Sequence, residues 1–276
     1  ATNLLAVCAH LGASIPVHRG ADRPLTQPVI DAREVHGDDG LGGARRPAKQ
    51  DKPASDDAVG VLIRTFNEAA KKGEKADILM IGPLTNLALA LRLDPGIVAG
   101  IGTLTIMGGT VYGRGNSTPA AEFNIYADPE AAHIVLTAGI ETVLVPWEPC
   151  TTHFMTEADA DALFARTPKS AIRDFSQALV THTRNLSYNR GRPGDMRYVD
   201  PLAAAVVIDP SMITKSIKAS TSVELSAGHC RGMTLVDPSG RLGTPKITFV
   251  EEIDIAKIDK LYAVSVAYSP TTKQTN

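Results

Sequence analysis

The chain is poor in the residues that mark disulfide-bonded and base-stacking proteins. It has 276 residues, of which three are cysteines and 5% are aromatic. The cysteines, Cys8, Cys150 and Cys230, are widely spaced and form neither a disulfide framework nor a CxxC metal motif. This cysteine usage predicts a protein of the reducing cytoplasm. So few aromatic side chains argue against a platform on which nucleic-acid bases stack.

Charge and hydrophobic runs exclude two further classes of partner. The formal net charge is −2, so no basic field attracts nucleic acid or anionic lipid. The sequence contains no run of 18 apolar residues, which argues against a membrane-spanning helix. We therefore predict no nucleic-acid partner and no membrane partner.

The hydrophobic residues that are present, 43% of the chain, suffice for a large core. Short apolar runs alternate with helical patterns at residues 78–81, 104–107 and 142–145. Such runs between helices indicate a parallel sheet covered on both faces, whose ligands bind at the carboxyl ends of the strands. Residues 216–252 have β-propensity around the turn Asp237–Gly240, which predicts a small antiparallel excursion near the C-terminus. We predict one α/β domain over residues 1–276, with a mostly parallel, Rossmann-like central sheet flanked by helices.

Glycine, proline and acidic caps mark the ends of the predicted helices. Residues 1–12 have helical spacing and end on Gly12, and residues 54–72 and 255–267 form further helices. The pair Thr167-Pro168 predicts the start of a long helix, which ends before a polar loop at 187–199.

Two Asp-Pro pairs predict further helix starts. Asp128 is expected to cap a helix that begins at Pro129, and Asp200 to cap an apolar helix over 202–208. Ile15–Val17 has the composition of a short strand. Residues 19–52, rich in Gly, Asp, Arg and Pro, are expected to form a long loop.

A loop just before Asp128 concentrates three side chains that form hydrogen bonds, Asn116, Glu122 and Asn124. Two amides and one carboxylate can donate and accept, which suits a neutral ligand with several hydroxyls, such as a sugar. A phosphate is less suited because the loop offers only Arg114 as a cation. The structural alternative is a polar surface loop with a helix cap. The residues alone leave both interpretations open.

Three other features have a functional and a structural interpretation. The stretch His36–Gly43 is either a ligand-covering loop or a turn-rich one, because it has neither EF-hand spacing nor a glycine-rich phosphate motif. Asp200 is either a helix cap or a functional carboxylate beside the polar loop at 187–199. Cys150 has no histidine partner placed by the sequence, so it is interpreted as a structural thiol.

Together these segments resemble the inosine–uridine-preferring nucleoside hydrolase family. The resemblance covers nearly the whole chain, and its most specific motif is Asn116–Asn124, with Thr-Pro-Ala-Ala-Glu-Phe-Asn at its end. The other matching stretches are Val35–Gly43, Ile81–Ala88, Ile106–Gly109, Asp200–Ala203, Arg231–Thr234 and Asp237–Gly243. The resemblance implies an enzyme of purine and pyrimidine salvage. It would hydrolyse the N-glycosidic bond of ribonucleosides of the inosine or uridine type to ribose and a free base.

The resemblance also implies residue roles and an assembly. The ribose would be bound by Met107, Asn116, Glu122 and Asn124, and His36 would lie near the base. A calcium ion, bound by Asp200 and by the backbone carbonyl of Ile81, would orient the attacking water and lower its pKa. The family commonly forms dimers or tetramers, so we expect a homodimer or homotetramer.

The sequence departs from the family pattern in two places. The aspartate cluster D-x-D-P-G-x-D-D, which would supply most calcium carboxylates and the general base, is absent, and the chain starts at a helix that the family places later. We therefore expect a domain that is N-terminally incomplete, with its general base unknown. The histidine that often precedes the late aspartate is replaced by Val199, which leaves Tyr198, Arg197 and His36 as candidate leaving-group acids.

Three interpretations remain open from the sequence. The chain belongs to a nucleoside hydrolase whose N-terminal segment lies outside this sequence, which the helix at its start favours. Alternatively it is a catalytically inactive homologue that binds ribosides but lacks most of the calcium site. The third interpretation, an unrelated sheet protein that binds another polyol, is disfavoured by the density of motifs.

Overall fold

A computed structural model describes residues 1–270 of the chain. Its helices are α1 (Thr2–Leu11), α2 (Arg33–His36), α3 (Ala58–Lys71), α4 (Thr85–Leu93), α5 (Phe123–Tyr126), α6 (Pro129–Leu136), α7 (Trp147–Thr152), α8 (Glu157–Arg166), α9 (Ala171–Asn189), α10 (Asp200–Ile208) and α11 (Ile255–Ala267). Its strands are β1 (Ala76–Met80), β2 (Ile101–Met107), β3 (Thr142–Val145), β4 (Phe154–Met155), β5 (Met196–Arg197), β6 (Ile213–Val223), β7 (Thr234–Asp237) and β8 (Lys246–Ile253).

Six of the strands form one sheet in the order β1-β2-β3-β8-β6-β7. Strands β1, β2, β3 and β8 are parallel, and β6 pairs antiparallel with both β8 and β7. Strands β4 and β5 form a separate antiparallel pair. Met107 lies opposite Val145, so the carboxyl ends of β2 and β3 meet at one edge. The predicted α/β fold with a mostly parallel sheet and an antiparallel part near the C-terminus is confirmed.

The sheet separates two hydrophobic clusters because successive side chains of a strand point to opposite faces. Ile106 and Leu144 belong to one cluster, with α4 and α6. Their neighbours Met107 and Val145 belong to the other, with α8, α10 and α11. Each fully buried aliphatic side chain stabilises the fold by about 1.5–3 kcal/mol. The last residue of β2, Met107, is therefore held rigidly on the face that packs against α10.

Several helix boundaries follow the sequence prediction. Helix α1 ends before Gly12, which has the left-handed φ of 62° expected of a glycine C-cap. Asp128 caps α6 by accepting the amide of Ala131 at 3.1 Å, with Pro129 as the first helical residue. Helix α11 has the predicted bounds. Helix α3 begins at Ala58 rather than at 54, because Asp57 caps it.

Two predicted helix starts are wrong. Helix α9 begins at Ala171 and is capped by Ser170, whereas the Thr167 hydroxyl donates to the Leu163 carbonyl at the end of α8. Asp200 is not an N-cap either. Val199 occupies that position without a side-chain cap bond, and Asp200 is the first helical residue. Its carboxylate is thus not used to satisfy helix amides.

Two further segments differ from the prediction. Ile15–Val17 forms no strand, because Pro16 has no N–H and the described residues give this segment only a single bridge, between His18 and Ser55. Helix α9 extends into the predicted polar loop, which therefore begins after Asn189.

Residues 271–276 of the predicted single domain lie outside the described residues. Among residues 1–270, no helix has the length and apolar character needed to cross a membrane.

Candidate active site

The loop that follows β2 is built around the buried carboxylate of Glu122, which is 2% exposed. Glu122 caps α5, and its Oε2 accepts the amides of Asn124 at 2.9 Å and Ile125 at 3.4 Å. The same oxygen accepts the amide of Gly109, at the start of the loop, at 2.9 Å. In the described part of the chain, Oε1 accepts no hydrogen bond. One carboxylate oxygen therefore fixes the loop, and the other is free for a ligand.

Gly109 is the backbone position that allows this arrangement. Its φ is 71°, in the left-handed region that favours glycine. A Cβ built on Gly109 would lie 2.5 Å from the Thr234 Oγ1 atom. Only glycine therefore lets the loop turn here while its amide reaches Glu122.

Asn124 connects the loop to the end of β2. Its Nδ2 donates to the Met107 carbonyl at 3.0 Å and lies 3.4 Å from the Met107 sulfur. Both residues are buried, with exposed fractions of 8% and 1%. Because the donor group is used on Met107, the Oδ1 atom of Asn124 is the part that can accept from a ligand.

Asn116 has the opposite polarity. Its Oδ1 accepts the amide of Phe123, the first residue of α5, at 2.8 Å, and the side chain is exposed. The Nδ2 group is then the part that can donate to a ligand, since the hydrogen-bond network fixes the orientation of the amide. The three predicted ribose side chains are thus joined through one short helix, and they offer one donor and two acceptors.

Asp200 lies close enough to Glu122 for their charges to interact. Burial raises the pKa of Asp200 to about 6. Burial also raises the pKa of Glu122 to about 7, its three amide bonds oppose that rise, and the charge of Asp200 adds to it. The Cys150 thiol lies beside both: its pKa is raised by burial and then by the charges of Glu122 and Asp200. Cys150 is fully buried and donates to the Pro146 carbonyl, which fits a structural thiol.

The oxygens predicted to bind calcium are few. Ile81 follows β1, whose Met80 pairs with Ile106, so its carbonyl lies at the same sheet edge as Met107. The residues from 1 to 270 contain no group of three or more His, Cys, Asp or Glu side chains arranged to hold a metal ion. Asp200 and the Ile81 carbonyl supply at most three oxygens, whereas calcium takes six to eight. These residues alone do not form a calcium site.

Of the three predicted candidates for the leaving-group acid, Arg197 lies on β5, and the other two lie in different surroundings. His36 is the last residue of α2, and its pKa is lowered by burial and by the nearby His182 of α9. The buried hydroxyl of Tyr198 donates to Asp259 of α11 at 2.8 Å. Burial and this bond raise the Tyr198 pKa. The structure therefore brings neither side chain into the hydrogen-bonded group around Glu122.

The site also depends on contacts between residues that are far apart in the sequence. Glu148, the second residue of α7, accepts the amides of Val111 and Tyr112 in the loop after β2. Thr234 of β7 accepts the amide of Thr110 at 3.3 Å. These pairs are 36 to 124 residues apart in sequence, so no local spacing could have revealed them.

Comparison with known proteins agrees with this fold. Residues 1–260 match the family described as inosine-uridine preferring nucleoside hydrolase. A pyrimidine-specific ribonucleoside hydrolase of Escherichia coli O157:H7 is 34% identical over 248 residues, which are 90% of this chain and 77% of that protein. A plant nucleoside hydrolase structure superposes with a TM-score of 0.85 at 27% identity, covering 97% of this chain and 85% of the other. An inosine-guanosine nucleoside hydrolase superposes with 0.83 at 28% identity, covering 97% and 86%.

The family match and these relatives thus place the chain among the hydrolases of ribonucleosides. The chain belongs to the inosine-uridine preferring nucleoside hydrolase family, which is a family of enzymes. The family is metal-dependent in general.

Proposed function

We propose that this chain hydrolyses the N-glycosidic bond of ribonucleosides of the inosine or uridine type, giving ribose and a free base. The observation that carries the proposal is the hydrogen-bonded group of Met107, Glu122 and Asn124 at the carboxyl edge of the sheet. It offers buried, preorganised partners to a polyol at the position where open α/β sheets bind ligands.

The polar atoms of this group suit a ribose. Oε1 of Glu122 and Oδ1 of Asn124 accept from hydroxyls, and Nδ2 of Asn116 donates to a hydroxyl oxygen. Met107, the last residue of β2 and 1% exposed, would lie under the sugar ring, as the family resemblance implies. Because these atoms are held by the backbone before substrate arrives, little entropy is lost on binding.

The charge of the site suits the reaction. Glycosidic cleavage passes through an oxocarbenium-like state in which the sugar becomes positively charged. With its pKa of about 6, Asp200 is mostly ionised at neutral pH, whereas Glu122, at about 7, is close to half protonated. We infer that Asp200 supplies the permanent negative charge. His36 remains our candidate for contacts with the base, and His36, Tyr198 and Arg197 remain the candidates for protonating it.

A riboside-binding protein without catalysis is the second candidate. It is favoured by one observation: the described residues contain no cluster of three metal-ligand side chains. Calcium remains the metal we propose for this family member. Asp200 and the Ile81 carbonyl are the oxygens that this chain would contribute to it, and they do not complete a calcium shell.

Release of ribose from inosine and from uridine by the purified chain tests the proposal, with and without added calcium. Hydrolysis that is lost in Glu122→Gln supports the enzyme. A different result supports the second candidate, a riboside-binding protein. In that case neither nucleoside is cleaved, ribose raises the melting temperature, and Glu122→Gln removes that shift. If neither hydrolysis nor a ribose-dependent shift is observed, both candidates fail.

Three broader expectations remain predictions. These are a cytoplasmic location, a role in purine and pyrimidine salvage, and assembly as a homodimer or homotetramer. Each is independent of the contacts at Glu122, and sedimentation of the purified chain tests the last.

A further inference from the structure

The first two residues of α7 form hydrogen bonds with the backbone of the loop after β2. Oε1 of Glu148 accepts the amides of Val111 at 2.9 Å and Tyr112 at 2.8 Å. The backbone amide of the preceding Trp147 donates to the Gly109 carbonyl at 2.9 Å. The short helix α7 therefore holds the backbone at three residues, 109, 111 and 112.

A second contact, with strand β8, holds the same segment. The Tyr112 hydroxyl donates to Oε1 of Glu251 on β8 at 2.6 Å, and this bond raises the Tyr112 pKa. The Glu251 side chain is only 11% exposed, and its other oxygen lies 3.5 Å from the Lys215 amine. Tyr112 itself is 66% exposed, so the hydrogen bond rather than burial keeps the phenol in place.

Gly109 connects this segment to the proposed ribose site. Its carbonyl accepts from Trp147, and its amide donates to Oε2 of Glu122. A shift of the segment at 109–112 would move that amide and with it the carboxylate. The two oxygens of Glu122 belong to one planar group, so the ligand-facing Oε1 would move as well.

We propose that Glu148 is a positioning residue that sets the place of Glu122 for ribose binding, and this inference rests on the proposed function. Glu148 does not touch the sugar. It accepts the backbone amides of Val111 and Tyr112, which holds the neighbouring Gly109 in place. The amide of Gly109 in turn anchors Glu122. Since catalysis depends on holding reacting groups to within about 1 Å, a more mobile backbone at residues 109–112 affects turnover as well as binding.

The test compares Glu148→Ala with Glu148→Gln. Alanine removes the acceptor of both amides, whereas the glutamine carbonyl keeps an acceptor at the same place without the charge. Glu252→Ala is the matched control, because Glu252 is a neighbouring exposed glutamate of β8 whose partner is Lys215, outside the loop. Amide hydrogen exchange of residues 109–112 and 122–125 is measured without ligand. It is followed by kcat and KM for nucleoside hydrolysis and by the melting temperature.

We expect Glu148→Ala to increase amide exchange in both segments roughly tenfold, because the two amides lose their partner. It should raise KM and lower kcat/KM by about 10- to 100-fold. Glu148→Gln should restore most of both quantities, and Glu252→Ala should match the wild type. The single tryptophan, Trp147, gives an independent signal, because its fluorescence should change in Glu148→Ala and not in Glu252→Ala.

The proposal is overturned if Glu148→Ala leaves exchange at 122–125 and KM at the values of Glu252→Ala. If Glu148→Ala does not fold, Glu148→Asp replaces it, since the shorter side chain draws the carboxylate away from the amides of Val111 and Tyr112 but keeps its charge. Faster exchange at 109–112 and 122–125 then supports the inference, and unchanged exchange refutes it. The exchange measurement needs no nucleoside. A wild-type chain that cleaves none therefore refutes the proposed function and leaves the test of Glu148 intact.

Discussion

The backbone amide of Gly109 donates a 2.9 Å hydrogen bond to Oε2 of Glu122. This bond joins the end of the second sheet strand to the cap of α5, thirteen residues later. It uses Oε2, while Oε1 accepts no hydrogen bond from residues 1–270. The stability and the chemistry of the site therefore depend on the same backbone position.

We expect Gly109→Ala to destabilise the protein by about 2–3 kcal/mol. A side chain at a φ of 71° is strained, and its Cβ would lie 2.5 Å from the Thr234 hydroxyl oxygen. Urea denaturation measures this loss. Ribose release should fall with it, because the amide that anchors Glu122 moves.

Gly139→Ala is the control for this substitution. Gly139 has a similar φ of 76°, but a Cβ there meets no atom within 4 Å. It should therefore lose only about 1 kcal/mol. Equal losses at the two positions would show that contact with Thr234 does not contribute.

Glu122→Gln should change how stability depends on pH. The pKa of Glu122 is raised from 4.5 to about 7, so the folded state keeps its proton when the unfolded state has lost it. The free energy of unfolding should then fall as pH rises from about 4.5 to 7, by at most about 3 kcal/mol for this group. Glutamine does not titrate, so the variant should lack this part of the decline.

Melting temperatures between pH 4 and pH 8 measure the difference. Glu130→Gln is a useful comparison, because an ion pair with Arg231 lowers the Glu130 pKa and its stabilisation is lost in acid instead. Parallel curves for wild type and Glu122→Gln would mean that folding leaves the pKa of Glu122 unshifted.

Local sequence signals predicted the parts of the fold that depend on local chemistry. Gly12 and Asp128 end or begin helices because a left-handed glycine and a carboxylate cap act on amides within a few residues. The same signal failed at Asp200. Asp94, Asp128 and Asp209 also precede proline and do cap helical turns, but Asp200 lies one position further along and its carboxylate caps nothing.

The site itself was only partly predictable. Asn116, Glu122 and Asn124 are close in sequence, so their grouping was visible, but the division of donors and acceptors among them was not. That division depends on Met107 and Phe123, whose backbone groups occupy one half of each amide. The contact of Glu148 with Val111 joins residues 37 apart and has no periodic signature.

The amide of Asn124 gives a test of this polarity. Asn124→Asp places a carboxylate oxygen where Nδ2 donates to the Met107 carbonyl, and two acceptors repel. We expect ribose affinity to fall about tenfold or more, as measured by calorimetry. Asn86→Asp is the matched control, because Asn86 uses its Oδ1 to accept the Ala21 amide, a role that aspartate retains. Equal effects at both positions would contradict the assignment of the Asn124 amide.

Asp200→Asn should separate stability from activity. The pKa of Asp200 is raised from 3.8 to about 6 by burial alone, so at pH 8 the folded state holds a poorly solvated charge. Removing that charge should raise the melting temperature at pH 8 and leave it nearly unchanged at pH 4, where both forms are neutral. Ribose release should nevertheless fall about 100-fold or more, because the negative charge that favours the oxocarbenium-like state is lost.

Calcium should respond to the same substitution. Since the one carboxylate and one carbonyl of this chain do not complete a calcium shell, we expect only weak binding, with a dissociation constant of about 1 mM or more, lost in Asp200→Asn. Asp209→Asn provides the control, because Asp209 also precedes a proline and caps a turn, which asparagine does equally well, and loses only a surface ion pair with Lys257. If Asp200→Asn lowers stability at pH 8 and keeps full activity, its carboxylate is structural, and the negative charge of the site must come from Glu122.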